Sequence, residues 1–143
     1  MTINQIADRT NPWHSNTMIL KLIRQLLGWS IVGLNALFPP KRLKRPLENQ
    51  LVIDEKTTHL ALYQFKLCPF CVRVRRMMTR LNLTIKTHDI QKSPDHHNEL
   101  VAGGGKRKVP CLRIQQGSQV TWLYESLAIN DYLKTQFGRS ETV

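Results

Sequence analysis

The stretch "ALYQFKLCPFCVRVRRMM", Ala61 to Met78, passes from a short apolar run to a helical period, and the change falls on Cys68-Pro69-Phe70-Cys71. A proline is well tolerated at the first turn of a helix, where its missing N–H leaves no bond unmade. The sequence therefore predicts a helix from Pro69 to Asn82 with Cys68 at its N-cap, fed directly by a strand at His59 to Phe65. Val72, Met77, Met78 and Leu81 form the buried side of that helix and its arginines the outer side.

The segments that follow have the same character. "LTIKTHDI", Leu83 to Ile90, alternates with period two and reads as a second strand. Ser93 and Pro94 open a helix that a glycine run at Gly103 to Gly105 stops. "VPCLRIQQGSQVTWLY" gives two strands about a turn at Gln116 to Ser118, and "ESLAINDYLKTQFG" gives a closing helix with Gly138 as its stop. The order strand, helix, strand, helix, strand, strand, helix predicts an α/β domain over residues 58–138, with a four-stranded mixed sheet and three helices. Residues 139–143 are a short tail.

The N-terminal third is different. Residues 1–16 are polar and expected to be poorly ordered. "TMILKLIRQLLGWSIVGLNALFPP" then makes residues 17–38 a hydrophobic helix, long enough for a membrane span of about 20 residues but interrupted early by Lys21 and Arg24. As a span, with "PKRLKR" just after it, the segment would hold the C-terminal domain in the cytoplasm. Lys21, Arg24, Gln25, Gly28 and Asn35 also share one helix face, which suits a helix lying in the membrane plane, and a buried soluble helix is the third reading. No small-residue cleavage site follows, as a signal peptide requires. Residues 39–57, Pro-marked and charged, read as a basic linker.

A length of 143 residues with 41% hydrophobic content supports one domain with a real core plus an added segment. The net charge of +11 raises nucleic-acid binding. Its distribution argues against that, because the densest cluster, Lys41 to Arg45, adjoins the hydrophobic segment and no aromatic residues interleave with basic ones. Three cysteines are too few for a disulfide-built scaffold.

The spacing of Cys68 and Cys71 then points to redox chemistry. Helix N-terminal N–H groups and the helix dipole favour a Cys68 thiolate, with Lys66, Arg73, Arg75 and Arg76 adding positive charge. Cys71, one turn on and more enclosed, is the expected resolving thiol. A zinc site would need two further ligands, so that Cys111 and His88, His96 or His97 would have to converge, and nothing in the spacing brings them together. His96 and His97 read as solvated surface and Cys111 as a buried small residue.

"CPFC" after a strand, "KVPCLRI" and "WLYESLAINDYL" resemble the glutaredoxin family within the thioredoxin-like fold, and closely resemble the glutathione-binding domain of glutathione transferases. The resemblance covers about His59 to Phe137. It implies that Cys68 attacks and Cys71 resolves, and that Pro110 is cis after Val109, whose backbone would pair with the cysteinyl part of glutathione. It implies further that Glu125 and Ser126 hold the γ-glutamyl group, and that Lys66 meets a glutathione carboxylate. Phe70 stands where the dithiol glutaredoxin motif has Tyr, a change in the surface of the site more than in its chemistry. The reading against a binding role for Glu125 is plain helix capping. The helical second domain of a glutathione transferase has no counterpart here, which sets conjugation of a second substrate in doubt.

Together these features predict a membrane-tethered glutaredoxin that uses glutathione as co-substrate, needs no metal, and reduces protein disulfides or glutathione mixed disulfides. The competing expectations are a non-catalytic membrane adaptor on the same fold and an iron–sulfur or metal-binding glutaredoxin.

Overall fold

The computed structural model describes residues 13–138. In chain order these are helix α1 (Trp13–Leu37), helix α2 (Leu47–Thr57), strand β1 (Leu60–Gln64), helix α3 (Pro69–Arg80), strand β2 (Lys86–Asp89), helix α4 (Pro94–Gly104), strands β3 (Cys111–Gln116) and β4 (Gln119–Tyr124), and helix α5 (Ser126–Phe137). The sheet order is β2-β1-β3-β4. β1 runs parallel to β2 and antiparallel to β3, and β3 is antiparallel to β4. This is a thioredoxin-like α/β fold with the expected four-stranded mixed sheet.

Strand alternation divides the core into two layers. Leu60 and Leu62 of β1, with Leu112 and Ile114 of β3, face α3 and α5 and meet Val74, Met77, Met78, Ile129, Leu133 and Phe137. Ala61, Tyr63 and Cys111 point the other way, toward Leu100 of α4, with Trp122 and Tyr124 packed at the margin. The glycine run does more than stop α4. A Cβ on Gly103 would lie 2.5 Å from the Trp122 ring, so only glycine lets the end of α4 approach β4 this closely. Gly105 then closes the helix at φ 71°, the left-handed cap that glycine favours.

Two expectations about the N-terminal third are corrected. First, among the described residues no helix is long and apolar enough to cross a membrane. α1 has 25 residues, but Lys21, Arg24, Gln25 and Ser30 break up its apolar run, so the span over residues 17–38 is not formed and the orientation argument drawn from it falls. Second, the expected linker is partly helical and docked, which makes five helices among the described residues rather than three after a hydrophobic one.

Leu43 and Ile53 pack on the core, and Arg45 reaches across to the ends of two helices. Its guanidinium donates to the carbonyl of Leu81 at 2.6 Å and to that of Phe137. Both carbonyls are at helix C-termini, where a cation meets the negative end of the dipole. Gln50 of α2 donates to the Asn82 carbonyl at 3.0 Å, and the Asn82 side chain donates back to Gln50 at 3.0 Å. The charge read as part of a basic linker is thus a bolt between α3 and α5.

Replacing Arg45 tests that bolt. Arg45→Ala should lower unfolding free energy by about 2 kcal/mol, the scale of hydrogen bonds to a charged group, measured by urea denaturation. Arg45→Lys should recover part of the loss, and an unchanged midpoint in the Ala variant would show that the contact is not holding the helices.

Candidate active site

Three pieces of chain separated in sequence meet at one end of the sheet. Tyr63 of β1 is opposite Cys111 of β3, and Cys111 is opposite Tyr124 of β4. Adjacent strands lie about 4.8 Å apart. The exit of β1 toward Cys68, the Val109–Pro110 approach to β3 and the Glu125–Ser126 exit of β4 therefore sit side by side.

Cys68 is the N-cap of α3 in extended conformation, with Pro69 in the first turn, as the sequence predicts. The Cys68 carbonyl accepts the first helical bond from Val72 N–H at 2.9 Å. Its side chain makes no capping hydrogen bond to the backbone of the helix and interacts instead with the Cys71 thiol one turn on. Cys68 is partly exposed whereas Cys71 is fully buried, and both are free thiols. Burial, above all, pushes the Cys71 thiol up to about 12; the neighbouring Cys68 adds to the rise, while the Phe65 backbone and the Arg75 charge oppose it. Of the two, only Cys68 is open to an incoming disulfide.

Arg75 was read from the sequence only as added positive charge. Its guanidinium donates to the Lys66 carbonyl at 2.8 Å and to the Gln64 side chain, fastening the loop that delivers Cys68. It also interacts electrostatically with both cysteines. The signal was the i,i+4 spacing from Cys71, which puts Arg75 on the same helix face one turn on. Phe70 is 55% exposed at the mouth of the site, with the Arg73 guanidinium 5.9 Å from its ring centre. Lys66 is exposed beside the loop, its side chain toward solvent and its carbonyl held by Arg75.

The Val109–Pro110 peptide bond is cis. Its loop is fixed from behind by Tyr124, whose hydroxyl donates to the carbonyls of Gly104 at 3.0 Å or Lys106 at 3.2 Å. Burial raises the Tyr124 hydroxyl to about 12, with Cys111 beside it adding to the rise. Cys111 is itself buried and pushed up to about 12, chiefly by that burial.

Glu125 has φ 72° and ψ 124°, a backbone conformation rare for any residue with a side chain. It occupies the N-cap of α5 but makes no side-chain capping bond; its carboxylate pairs instead with Lys108. Plain capping is therefore not its role. The contortion aims Glu125 away from the helix and leaves buried Ser126 in the first turn, where helix N–H groups lack internal partners. Such local strain, on the order of 1–3 kcal/mol, is typical of functional positions. Sequence reasoning missed Lys108, although it precedes Val-Pro in the quoted motif.

The histidines are placed elsewhere. His88 is buried and stacks on Tyr63 at 4.9 Å between ring centres, with its Nδ1 2.8 Å from Nε2 of His96. His96 and His97 are half-buried rather than solvated. Burial lowers the His88 pKa, and His96 and Lys86 push the same way. Among the described residues no group of three or more His, Cys, Asp or Glu side chains is arranged to hold a metal ion.

This arrangement agrees with sequence comparison. The family described as "Glutathione S-transferase, N-terminal domain" matches residues 62–141, more than half of the chain. The protein belongs to the glutathione S-transferase N-terminal domain family. It is similar to mouse (Mus musculus) prostaglandin E synthase 2, 34% identical over 90 residues that make up 63% of this chain and 21% of that protein. The chain thus spans about a fifth of the length of that relative. Among solved structures, it is similar to a maleylacetoacetate isomerase from Anaeromyxobacter dehalogenans with glutathione in its active site, at TM-score 0.44 and 21% identity, covering 56% of this chain and 38% of that one. A second is glutathione transferase Omega 1C from Trametes versicolor, at TM-score 0.46 and 21% identity, covering 57% and 38%.

Two measurements probe the site's physics. Glu125→Gly should be more stable than Glu125→Ala by about 1 kcal/mol in urea denaturation, because only glycine relaxes at positive φ; equal stabilities would show that the backbone there is unstrained. The second concerns Cys111. Its thiol stays protonated in the fold up to about 12, whereas an unfolded thiol ionises near about 8.5. Stability is then fully present below that lower value and is lost as pH rises through the interval above it. The melting temperature of the wild type should fall more steeply above pH of about 9 than that of Cys111→Ala; parallel curves would show that the thiol is not held protonated.

Proposed function

We propose that the protein is a glutathione-dependent thiol–disulfide oxidoreductase of glutaredoxin type. The observation that carries this reading is the pairing of a partly exposed Cys68 at the N-cap of α3 with a buried Cys71 one turn on. Membership of a family named for glutathione, with a cis Val109–Pro110 and an off-helix Glu125 beside the cysteines, supports glutathione as the co-substrate.

In the first reaction the Cys68 thiolate attacks the glutathione sulfur of a protein–glutathione mixed disulfide. The protein thiolate leaves and takes a proton from water, and Cys68 carries the glutathione. A second glutathione, as thiolate, attacks that sulfur, regenerating Cys68 and releasing oxidised glutathione. In the second reaction Cys68 attacks a protein disulfide, and Cys71 loses its proton and displaces the substrate thiol from Cys68. The product is a reduced protein and a Cys68–Cys71 disulfide, which two glutathiones return to the dithiol.

The roles of the other residues follow from their chemistry. The Val109 backbone lies beside the approach to Cys68 and suits pairing with the cysteinyl part of glutathione; Ser126, at a helix N-terminus, suits the γ-glutamyl carboxylate. Glu125, paired with Lys108, suits the γ-glutamyl amine, and Lys66 suits the other carboxylate. Phe70, exposed next to the cysteines, offers an apolar surface to the substrate.

Cys68→Ser should abolish both reactions, and Cys71→Ser should keep reduction of a small glutathione mixed disulfide while losing reduction of a protein disulfide. Turnover would be followed by glutathione reductase-coupled oxidation of NADPH. Equal loss of the first reaction in both variants would remove the assigned roles. No turnover in the folded wild type would favour the non-catalytic adaptor on the same fold.

A further inference from the structure

The end of the sheet that carries Cys68 holds more positive charge than glutathione can use. Lys66 and Ser126 suit the carboxylates of glutathione and Glu125 its amine, with Lys108 paired to Glu125. A second acidic side chain at this end, Asp89, stands opposite Gln64 in the β1–β2 pairing and acts on the Arg75 charge. Arg73, Lys106 and Arg107 remain. All three are exposed, and none forms an ion pair among the described residues.

These cations approach the thiol from two elements. Arg73 is on α3, five residues after Cys68, with its guanidinium 5.9 Å from the centre of the exposed Phe70 ring. Lys106 and Arg107 lie on the loop that leads into Val109–Pro110, beside the exit of β1 toward Cys68. Arg107 precedes Val109 by two positions, at most about 7 Å of chain. The loop has a fixed shape. The Lys108 N–H donates to the Lys106 carbonyl at 3.0 Å, a three-residue turn with Arg107 at its apex. Tyr124 holds the same turn through the Lys106 carbonyl, and the Lys106 ammonium lies 6.0 Å from the Tyr124 ring centre. Charges carried on an ordered backbone lose little freedom when a partner binds.

Exposed cations without a counter-charge attract anions over about 10 Å at 0.1 M salt, and their mutual repulsion is relieved when carboxylates come between them. Phe70, under the Arg73 guanidinium, adds an apolar contact that a small inorganic anion would leave unused. The Cys68 chemistry acts on sulfur, which makes the fitting anion a protein segment rather than a nucleic acid. We propose that the protein selects disulfides and glutathione mixed disulfides whose cysteine lies in an acidic segment, with Asp or Glu side chains of the substrate seated on Arg73, Lys106 and Arg107. The inference rests on the thiol chemistry proposed above and names its substrate class.

The test uses the full chain and two glutathionylated peptides of equal length, one with Glu around the cysteine and one with Lys, beside the mixed disulfide of glutathione and 2-mercaptoethanol. Each rate is divided by the uncatalysed rate with glutathione, which removes the effect of the charges on the disulfide itself. The acidic peptide should have a kcat/KM roughly tenfold or more above that of the basic one at low salt, through KM, and high salt should close the gap. Lys106→Glu combined with Arg107→Glu should remove or reverse the preference while leaving turnover of the small disulfide unchanged. Equal kcat/KM for the two peptides at low salt, or a preference that the double variant keeps, would overturn the proposal. Absence of turnover with all three substrates would instead remove the thiol chemistry. Binding of a labelled, cysteine-free acidic peptide, followed by fluorescence anisotropy, tests the surface without that chemistry, and affinity no higher than for the basic peptide would overturn the proposal. Displacement of the labelled peptide by a short single-stranded DNA at lower concentration than by unlabelled peptide would overturn it in favour of a nucleic-acid surface.

Discussion

The antiparallel pairing of β1 with β3 sets both the core and the site. Leu62 opposite Leu112 and Tyr63 opposite Cys111 put the aliphatic residues against α3 and α5, and the aromatic and thiol residues against α4. Side chains alternate with period two, so a slip of one residue would exchange the two sets and drive Tyr63 into the tightly filled helix layer. The same slip would carry the Val109–Pro110 loop away from the turn that presents Cys68. The geometry of the site is therefore protected by the burial energy of the whole sheet rather than by contacts of its own.

Much of this was legible from local patterns, because local physics fixes it. Pro69 and Pro94 mark helix starts since each lacks the N–H that a first turn does not use, and the structure begins α3 and α4 at those prolines. The two strands about Gly117 also sit where the alternation puts them, β3 and β4 meeting at a turn with φ 60°. Cys68 and Cys71 could be ranked by exposure from spacing alone, because the N-cap of a helix lies at its rim while a position one turn on faces the sheet.

What the sequence hid was held by long-range partners. Residues 47–57 have weak amphipathic patterning, and their docking depends on Gln50 and Arg45 finding carbonyls more than thirty positions away. No periodicity in "KRLKRPLENQ" reveals that one of its four cations is half-buried between helix ends while the others stay in water. The positive φ of Glu125 and its pairing with Lys108 are invisible for the same reason, and so is the union of His88 with His96 across β2 and α4. In α1 the periodicity was readable, but hydrophobic content alone could not say which face the domain would take. The contact of Gly28 with Leu67 shows which face that is.

Burial sets Cys68 apart from the other two thiols, and their surroundings set those two apart from each other. Cys71 and Cys111 are equally inaccessible and both are driven toward the protonated form by the interior. They differ in what surrounds them. At Cys111 burial holds the proton on, and the hydrogen bond with Tyr124 only partly opposes it. Cys71 has the Arg75 charge and the Phe65 backbone on its side, opposed by burial and by Cys68. Once Cys68 is tied up in a mixed disulfide it can no longer carry negative charge, and its share of the opposition disappears. The buried thiol then becomes easier to ionise just when the proposed chemistry requires it to act, with burial the main opposition that remains. One arginine thus serves two ends, because fastening the loop through Lys66 and Gln64 is also what holds its charge at the thiols.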